Sequence, residues 1–206
     1  MALSKVQAES IDLTATYAFS GTVSNTAPIN LVLLQTLTAS SSANLSFTSG
    51  IDDTYKEYIF KCIDIHPATD NVAFQINFRD GGTDYDATKT TTFFDAGHSE
   101  DDSTVASLAY DTGADVAQGT GNARLSRNQG NGNDESCAGF VNLYDPSSTT
   151  FVKHFQTNFQ GYDRNNIHYS GFGAGYCNVT AAIDGVQFAF SSGNIDSGTI
   201  KMYGVL

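Results

Sequence analysis

Apolar and polar side chains alternate with a period of two along much of the chain, which is typical of β-strands with one buried face. In the segment NVAFQINFR, the residues on the expected inner face are Val72, Phe74, Ile76 and Phe78. The residues on the expected solvent face are Gln75, Asn77 and Arg79. Asp80-Gly81-Gly82 then predicts a hairpin, since glycine adopts positive φ without a Cβ clash.

Similar short runs recur from one end of the chain to the other, separated by turn-forming residues. They are SIDLTATYAF (10–19), ANLSF (43–47), TTTFF (90–94), GFVNLY (139–144), TFVKHF (150–155), GVQFAF (185–190) and TIKMYGVL (199–206). We expect the last two to form a closing hairpin around Ser192-Gly193-Asn194. Helical periodicity is confined to one turn near residues 3–9. The pattern predicts an all-β fold, a β-sandwich or jelly roll of about ten or more short antiparallel strands.

Two runs are apolar on both faces, INLVLLQTLT (29–38) and KEYIFKCIDI (56–65). Such runs suit central strands covered on two sides, or strands at a subunit contact. By contrast, the region near 95–136 is polar and carries no basic residue before Arg124. We interpret it as a long exposed loop. The chain then divides into an N-terminal arm or first strand with a linker (1–28) and a β-sandwich domain (29–206).

Composition narrows the classes of partner. The chain has 22 acidic and 10 basic residues, a net charge of −12, and 40% hydrophobic residues. This is enough apolar material for a core, while the negative surface argues against nucleic acid and membrane headgroups as partners. No apolar run approaches the roughly 20 residues of a membrane helix. The start, MALSKVQAESIDL, lacks the apolar centre of a signal peptide, so we expect synthesis in a cytosol.

Metal and disulfide chemistry are not indicated. Cys62, Cys137 and Cys177 are widely spaced and form no C-x-x-C pair, so we expect reduced, partly buried thiols. The four histidines lack ligand spacing. The acidic run from His98 to Asp102 holds oxygen ligands but lacks the alternating order of a calcium loop, so we favour a solvated loop. We expect no metal and no cofactor.

The stretch LAYDTGADVA (108–117) resembles the catalytic loop of an aspartic protease. That chemistry needs two close carboxylates sharing a proton, and a later apolar strand behind the loop. The nearest later match, Ile183-Asp184-Gly185, places a charge where an apolar residue belongs. No G-x-S-x-G nucleophile motif is present either. We therefore expect no enzyme, and an exposed, ionised Asp111 that forms a turn; a hydrolase is the third hypothesis.

Aromatic residues cluster in QGYDRNNIHYSGFGAGYC (160–177). The candidate receptor or subunit contacts are Tyr162, Asn165, Tyr169, Phe172 and Tyr176. Aromatic rings stack on sugars, with Asn165 and Asn166 as hydrogen-bonding neighbours, but aromatic residues are also enriched at protein interfaces. The glycines also suit an irregular loop. We favour a subunit contact over a glycan site.

Three parts of the chain together suggest a family. The beginning MALSKVQAESIDLTATYAFSGTVS, the middle FTSGIDDTYKEYIFKCIDIHPATDNVAFQINFRDGG and LYDPSSTTFVKHF, and the end AIDGVQFAFSSGNIDSGTIKMYGVL resemble virion structural proteins of tailed bacteriophages of marine bacteria. Members are called tail-fibre, head-fibre or decoration-type proteins. The resemblance covers most of the chain and is weakest from 97 to 136. It implies a β-sandwich displayed on a virion, non-enzymatic and usually multimeric.

The N-terminal apolar series comprises Leu3, Val6, Ile11 and Leu13. It is either the first strand of the domain or an arm that docks on a neighbouring subunit or capsid by strand addition. We expect a homo-oligomer, a trimer, that is made in the host cytoplasm and contacts capsid or fibre subunits. Its role would be head-surface decoration (cement) or a short-fibre component. The alternative is a tail-fibre or receptor-binding adhesin that recognises host surface glycans.

Overall fold

The structure, a computed structural model, describes residues 30–206. The predicted docking residues Leu3, Val6, Ile11 and Leu13 lie outside the described residues, as does the predicted strand at 10–19. The regular secondary structure of the described part is almost wholly antiparallel strand. Within it no helix is long and apolar enough to cross a membrane.

Twelve strands occur in residues 30–206. They are β1 (Leu31–Thr38), β2 (Leu45–Phe47), β3 (Glu57–Pro67), β4 (Phe74–Arg79), β5 (Lys89–Ser99), β6 (Ala106–Tyr110), β7 (Ala123–Arg124), β8 (Cys137–Tyr144), β9 (Lys153–Tyr162), β10 (Ile167–Cys177), β11 (Gly185–Phe190) and β12 (Ile195–Val205). One 3₁₀ turn, Thr112–Ala114, follows β6.

The strands form two sheets. The large sheet has eight strands in the order β1-β12-β3-β8-β9-β10-β5-β6, and the small sheet has four in the order β2-β11-β4-β7. All the pairings are antiparallel. The prediction of an all-β sandwich is confirmed.

Aromatic rings from the two sheets meet in the core. Phe47 of the small sheet packs edge-on against Phe60 of the large sheet, with ring centroids 5.2 Å apart. Phe78 and Phe155 make a second cross-sheet pair at 4.8 Å. Each fully buried ring contributes about 1.5–3 kcal/mol of burial free energy, and the ring contacts add to it. This aromatic layer joins the two sheets.

The alternation in β4 and the residue before it is confirmed on the inner face, where Val72, Phe74, Ile76 and Phe78 are all buried. On the other face Asn77 differs from the prediction, because it is only 6% exposed. Its side-chain amide donates to the Thr120 carbonyl and to Asn122 Oδ1, at 3.0 and 2.8 Å. A following segment therefore covers this polar face.

Both predicted hairpins are wrong. β4 pairs with β11 and β7, whereas β5 belongs to the other sheet. β11 and β12 are likewise in different sheets, although Gly193 between them has the expected positive φ of 71°. The chain crosses the sandwich at both places, so that Phe188 and Met202 point into one core from opposite sides. The alternation of apolar and polar residues predicts which face of a strand is buried, but it does not predict which strand it pairs with.

The two doubly apolar runs have different positions. β3 lies inside the large sheet with Phe60 buried, as expected for a central strand. Within residues 30–206 β1 is an edge strand, and its Leu33 is 53% exposed. The prediction of a covered central strand is therefore wrong for β1.

The region near 95–136, expected as an exposed loop, is exposed at most positions from 100 to 113, but it is partly buried on either side of them. β5 extends to Ser99, and Asp95 within it is 1% exposed. Leu125 and Gln129 are fully buried, and the Leu125 amide donates to the Phe74 carbonyl at 2.8 Å. The segment that contains Leu125 and Gln129 lies against the inner face of the large sheet. Its polarity misled the prediction because its side chains find hydrogen-bond partners inside the protein.

Candidate functional site

The candidate site lies on the outer face of the large sheet, where β8, β9, β10 and β5 run side by side. Phe140, Asn158, Phe172 and Phe94 occupy the same level on these four strands, each opposite the next in the register. Alternate residues of a strand point to opposite faces, so this row projects outward while Phe93 and Phe159 point into the core. Pairing thus brings three exposed phenyl rings onto one face.

β10 is the strand that the sequence patterns did not predict, since GFGAG looked like an irregular loop. Its glycines are needed on the inner side. A Cβ on Gly171 would lie 2.7 Å from the Phe93 ring, and one on Gly175 would lie 2.8 Å from the Phe155 ring. Glycine lets the core rings pack directly against the β10 backbone, while Phe172 and Tyr176 lie on the outer face.

The rings of Phe94 and Phe172 are stacked, with centroids 5.2 Å apart and planes 14° apart. Parallel rings this close must overlap face to face, because rings lying edge to edge in one plane cannot approach so closely. Asn158 and Phe140 follow on the next two strands, on the side of Phe172 away from Phe94. Two strand spacings, about 9.6 Å, separate the backbones that carry Phe172 and Phe140. We call the space above Asn158 between these two residues the phenyl slot.

The phenyl slot is part of a depression of about 330 Å³ that is also lined by Thr92, Gln156 and Ala174. The same three residues line a neighbouring depression of about 570 Å³. Tyr176 and His154, whose ring centroids are 6.0 Å apart, border its far side. Thr92, Gln156 and Ala174 thus lie between the row of phenyl rings and the pair Tyr176 and His154. We call the two depressions together the trough.

The trough is uncharged. None of the residues that line the two depressions is Asp, Glu, Lys or Arg, although the protein carries a net charge of −12. Its polar groups are hydroxyls and amides. The Tyr144 hydroxyl donates to Gln156 Oε1 at 3.1 Å, and among residues 30–206 the Asn158 amide has no hydrogen-bond partner. The surface can therefore offer ring contacts and neutral hydrogen bonds.

The residues predicted from the aromatic cluster are not brought together. Phe172 and Tyr176 line the trough. Tyr169 points to the inner side, where it packs on Gly97 and lies 5.1 Å from the Arg127 guanidinium. Asn165 lies in the turn before β10, where its backbone N–H donates to Asp163 Oδ1.

Tyr162 is also apart from the trough. It donates to Glu100 Oε2 at 2.9 Å, and this hydrogen bond raises the pKa of Tyr162 to about 12. Phe94, Phe140 and Asn158 were missed, because only strand register places them beside Phe172.

Asp111 has a structural environment. Its Oδ1 accepts from the Gly113 amide at 3.0 Å, as the turn prediction requires, and its Oδ2 lies 2.6 Å from Arg124. The side chain is 23% exposed, so the prediction of an exposed carboxylate is wrong. The ion pair fixes the end of β6 to β7.

The other chemical candidates can be placed as well. The three cysteines are free and buried, and burial raises the pKa of Cys137 to about 12. His98 and Asp102 are exposed and 3.3 Å apart. In residues 30–206 no group of three or more His, Cys, Asp or Glu side chains could hold a metal ion.

Comparison with known proteins adds no relative: no family model, no curated protein and no solved structure matches the chain. The function is therefore argued from the sequence and from the geometry of this fold.

Proposed function

We propose that this chain is a non-enzymatic structural protein of a bacteriophage particle, carried as a head-surface decoration or a short-fibre component. In this role it associates with copies of itself and with neighbouring virion proteins. The resemblance of its beginning, middle and end to phage virion proteins supports the role. One structural observation supports the mode of assembly: the edges of the large sheet carry exposed apolar side chains.

β6 is the first of these edges. Within residues 30–206 it pairs only with β5, and all five of its residues are exposed. Leu108 and Tyr110, which are 73% and 55% exposed, stand in register with Ala96 and Phe94. An edge strand presents unpaired N–H and C=O groups, and proteins usually guard such an edge with charges or proline. The sequence ASLAY contains neither, so the edge suits pairing with another strand.

In the part of the chain that the structure describes, β1 forms the opposite edge, with Leu33 53% exposed. Two unlike edges allow head-to-tail contact between β6 of one copy and β1 of the next. Such contacts close into rings when the rotation permits. The trimer expected from the sequence is one such ring. Burial of Leu108 and Leu33 would contribute about 1.5–3 kcal/mol each.

The test of assembly is the mass of the full chain in solution, measured by light scattering and sedimentation. We expect an oligomer that Leu108→Lys dissociates, because a charge would be buried in the strand contact. Phe151→Lys is the matched control, since Phe151 is 72% exposed but lies between β8 and β9, away from both edges. A monomeric wild type, or equal behaviour of the two variants, contradicts the proposal.

The test of the particle role is quantitative mass spectrometry of purified virions. Hundreds of copies per particle indicate the head surface, and a few dozen or fewer indicate a fibre or tail component. Absence of the chain from purified particles overturns the virion assignment.

A further inference from the structure

We propose that the phenyl slot binds one ring of an uncharged saccharide. This site shares Phe172 with the aromatic cluster considered from the sequence, but its other residues come from neighbouring strands. Its walls are Phe172 and Phe140, its floor is Asn158, and Gln156 stands beside it. The inference rests on the geometry of the outer face and does not depend on assembly through the sheet edges.

The walls fit the apolar side of a sugar. A pyranose ring has faces of C–H groups that pack against the face of an aromatic ring. Phe172 stacks on Phe94, lines the slot and is 36% exposed. Phe140, across Asn158, is 40% exposed. The separation of about 9.6 Å between the two backbones admits one ring between them.

The floor separates a saccharide from a protein partner. Among residues 30–206 the Asn158 amide has no hydrogen-bond partner, and Gln156 uses only its carbonyl, as acceptor from Tyr144. A dry apolar protein surface pressed onto the slot would leave these donors unpaired, which is unfavourable. A ring that carries hydroxyl groups pairs them. Ligand sites of this kind combine apolar walls with a few convergent polar groups.

Charge sets the class of sugar. The lining of the trough contains no lysine or arginine that could pair with a carboxylate or sulfate, while the whole protein is strongly negative. Acidic saccharides are therefore repelled, and neutral ones are not. The trough continues past Ala174 to Tyr176, so the ligand extends beyond one ring as a short neutral chain.

The experiment uses the full chain and an array of neutral and acidic oligosaccharides built from hexoses and N-acetylhexosamines, followed by titration with the best neutral binder. Because the chain contains no tryptophan, Phe140→Trp introduces a single fluorophore into the slot wall. We expect saturable binding of a neutral chain, a fluorescence change on titration, and no binding of acidic analogues.

Variants locate the site. Phe172→Ala and Asn158→Asp are each expected to weaken binding at least tenfold, by removing the stacking face and by removing the amide N–H donor from the floor of the slot. Phe151→Ala, an exposed phenylalanine elsewhere, is expected to bind like wild type. Circular dichroism shows whether each variant folds, and Asn158→Asp keeps all the core packing if Phe172→Ala does not fold.

Three outcomes overturn the proposal: no saturable binding of any neutral saccharide, a preference for acidic ones, or binding that survives both slot variants. Capture of a virion protein that the slot variants abolish, without sugar binding, would assign the slot to protein docking instead. An oligomer that fails to form while sugar binding persists would reject only the assembly model.

Discussion

The interior of the sandwich has two unlike halves. Under the small sheet, the inner face of the large sheet packs against phenyl rings. Phe74 and Phe159, for example, have ring centroids 5.8 Å apart. Beyond these rings, the same face is covered by β7 and by the segment after it, which carries Arg127. There the buried groups are polar, with Asp95 paired to Arg127 at 3.0 Å and Lys89 fully buried.

The difference follows from strand number. Four strands cannot cover eight, so a polar segment completes the second layer. Some backbone groups of this segment pair with other backbone, as Leu125 does with Phe74, and others need a side chain as partner. Lys89 is such a partner, donating to the carbonyls of Thr120 and Gly121, at 3.3 and 2.9 Å. The apolar half is stabilised by burial, and the polar half by its ion pair and hydrogen bonds, although Arg127 Nε and Gln129 Oε1 are buried there without a hydrogen-bond partner among the described residues.

The largest effect is expected in the apolar half. Phe74→Ala removes a fully buried ring that also contacts Phe188 and Phe190. We expect a loss of about 3–5 kcal/mol in the free energy of unfolding, measured in urea, because a cavity remains. Phe151→Ala, at an exposed ring, should change it by less than about 0.5 kcal/mol. Equal losses in the two variants would contradict the role given to the aromatic layer.

A smaller but still large effect is expected when the buried pair of the polar half is broken. Arg127→Ala leaves the carboxylate of Asp95 buried without its cation, at an expected cost of about 3 kcal/mol. The double variant Asp95→Leu, Arg127→Met should recover most of this stability, since it removes both desolvated charges. Urea unfolding of the three proteins checks both points. A double variant as unstable as the single one would show that the pair is not the determining interaction.

The smallest effect is a pH dependence due to Lys89, whose pKa is lowered to about 8 by burial. Between that value and the unfolded pKa of about 10.4 the unfolded chain binds more protons, so stability from this group rises with pH. The free energy of unfolding of the wild type, measured relative to that of Lys89→Met, should therefore rise by about 2 kcal/mol between about pH 7.5 and about pH 9.5.

Parallel urea titrations of the two proteins measure this difference. Lys56→Met is the control, because a hydrogen bond to Asp145 raises the pKa of exposed Lys56. Its difference curve should slope weakly the other way. A constant difference between wild type and Lys89→Met would contradict the buried, partly neutral amine.

Much of the fold was predictable from local pattern. Val72, Phe74, Ile76 and Phe78 were correctly assigned to the core because strand alternation reports burial directly. Strand partners were not predictable: Gly193 has the expected positive φ, yet the strands around it enter different sheets. A turn residue specifies only the local backbone conformation. The same turn can connect two strands of one sheet or two strands of different sheets.

The candidate site was predictable only in part. Phe172 and Tyr176 were singled out because aromatic residues among glycines are conspicuous in the sequence. Tyr169, two positions from Gly171, belongs to the same aromatic run but points inward, since neighbouring odd and even positions face opposite ways. Phe140 and Asn158 carried no signal, because each lies in an ordinary strand.

The sequence by itself determined the class of fold, the identity of the core face in most strands and the negative charge of the surface, because these depend on side-chain type and spacing. Tertiary structure alone decided which strands pair, which polar residues are buried and which aromatic rings share a face. Those properties depend on register between segments far apart in the chain. The stack of Phe94 on Phe172 joins residues of β5 and β10 and exists only after the sheet has formed.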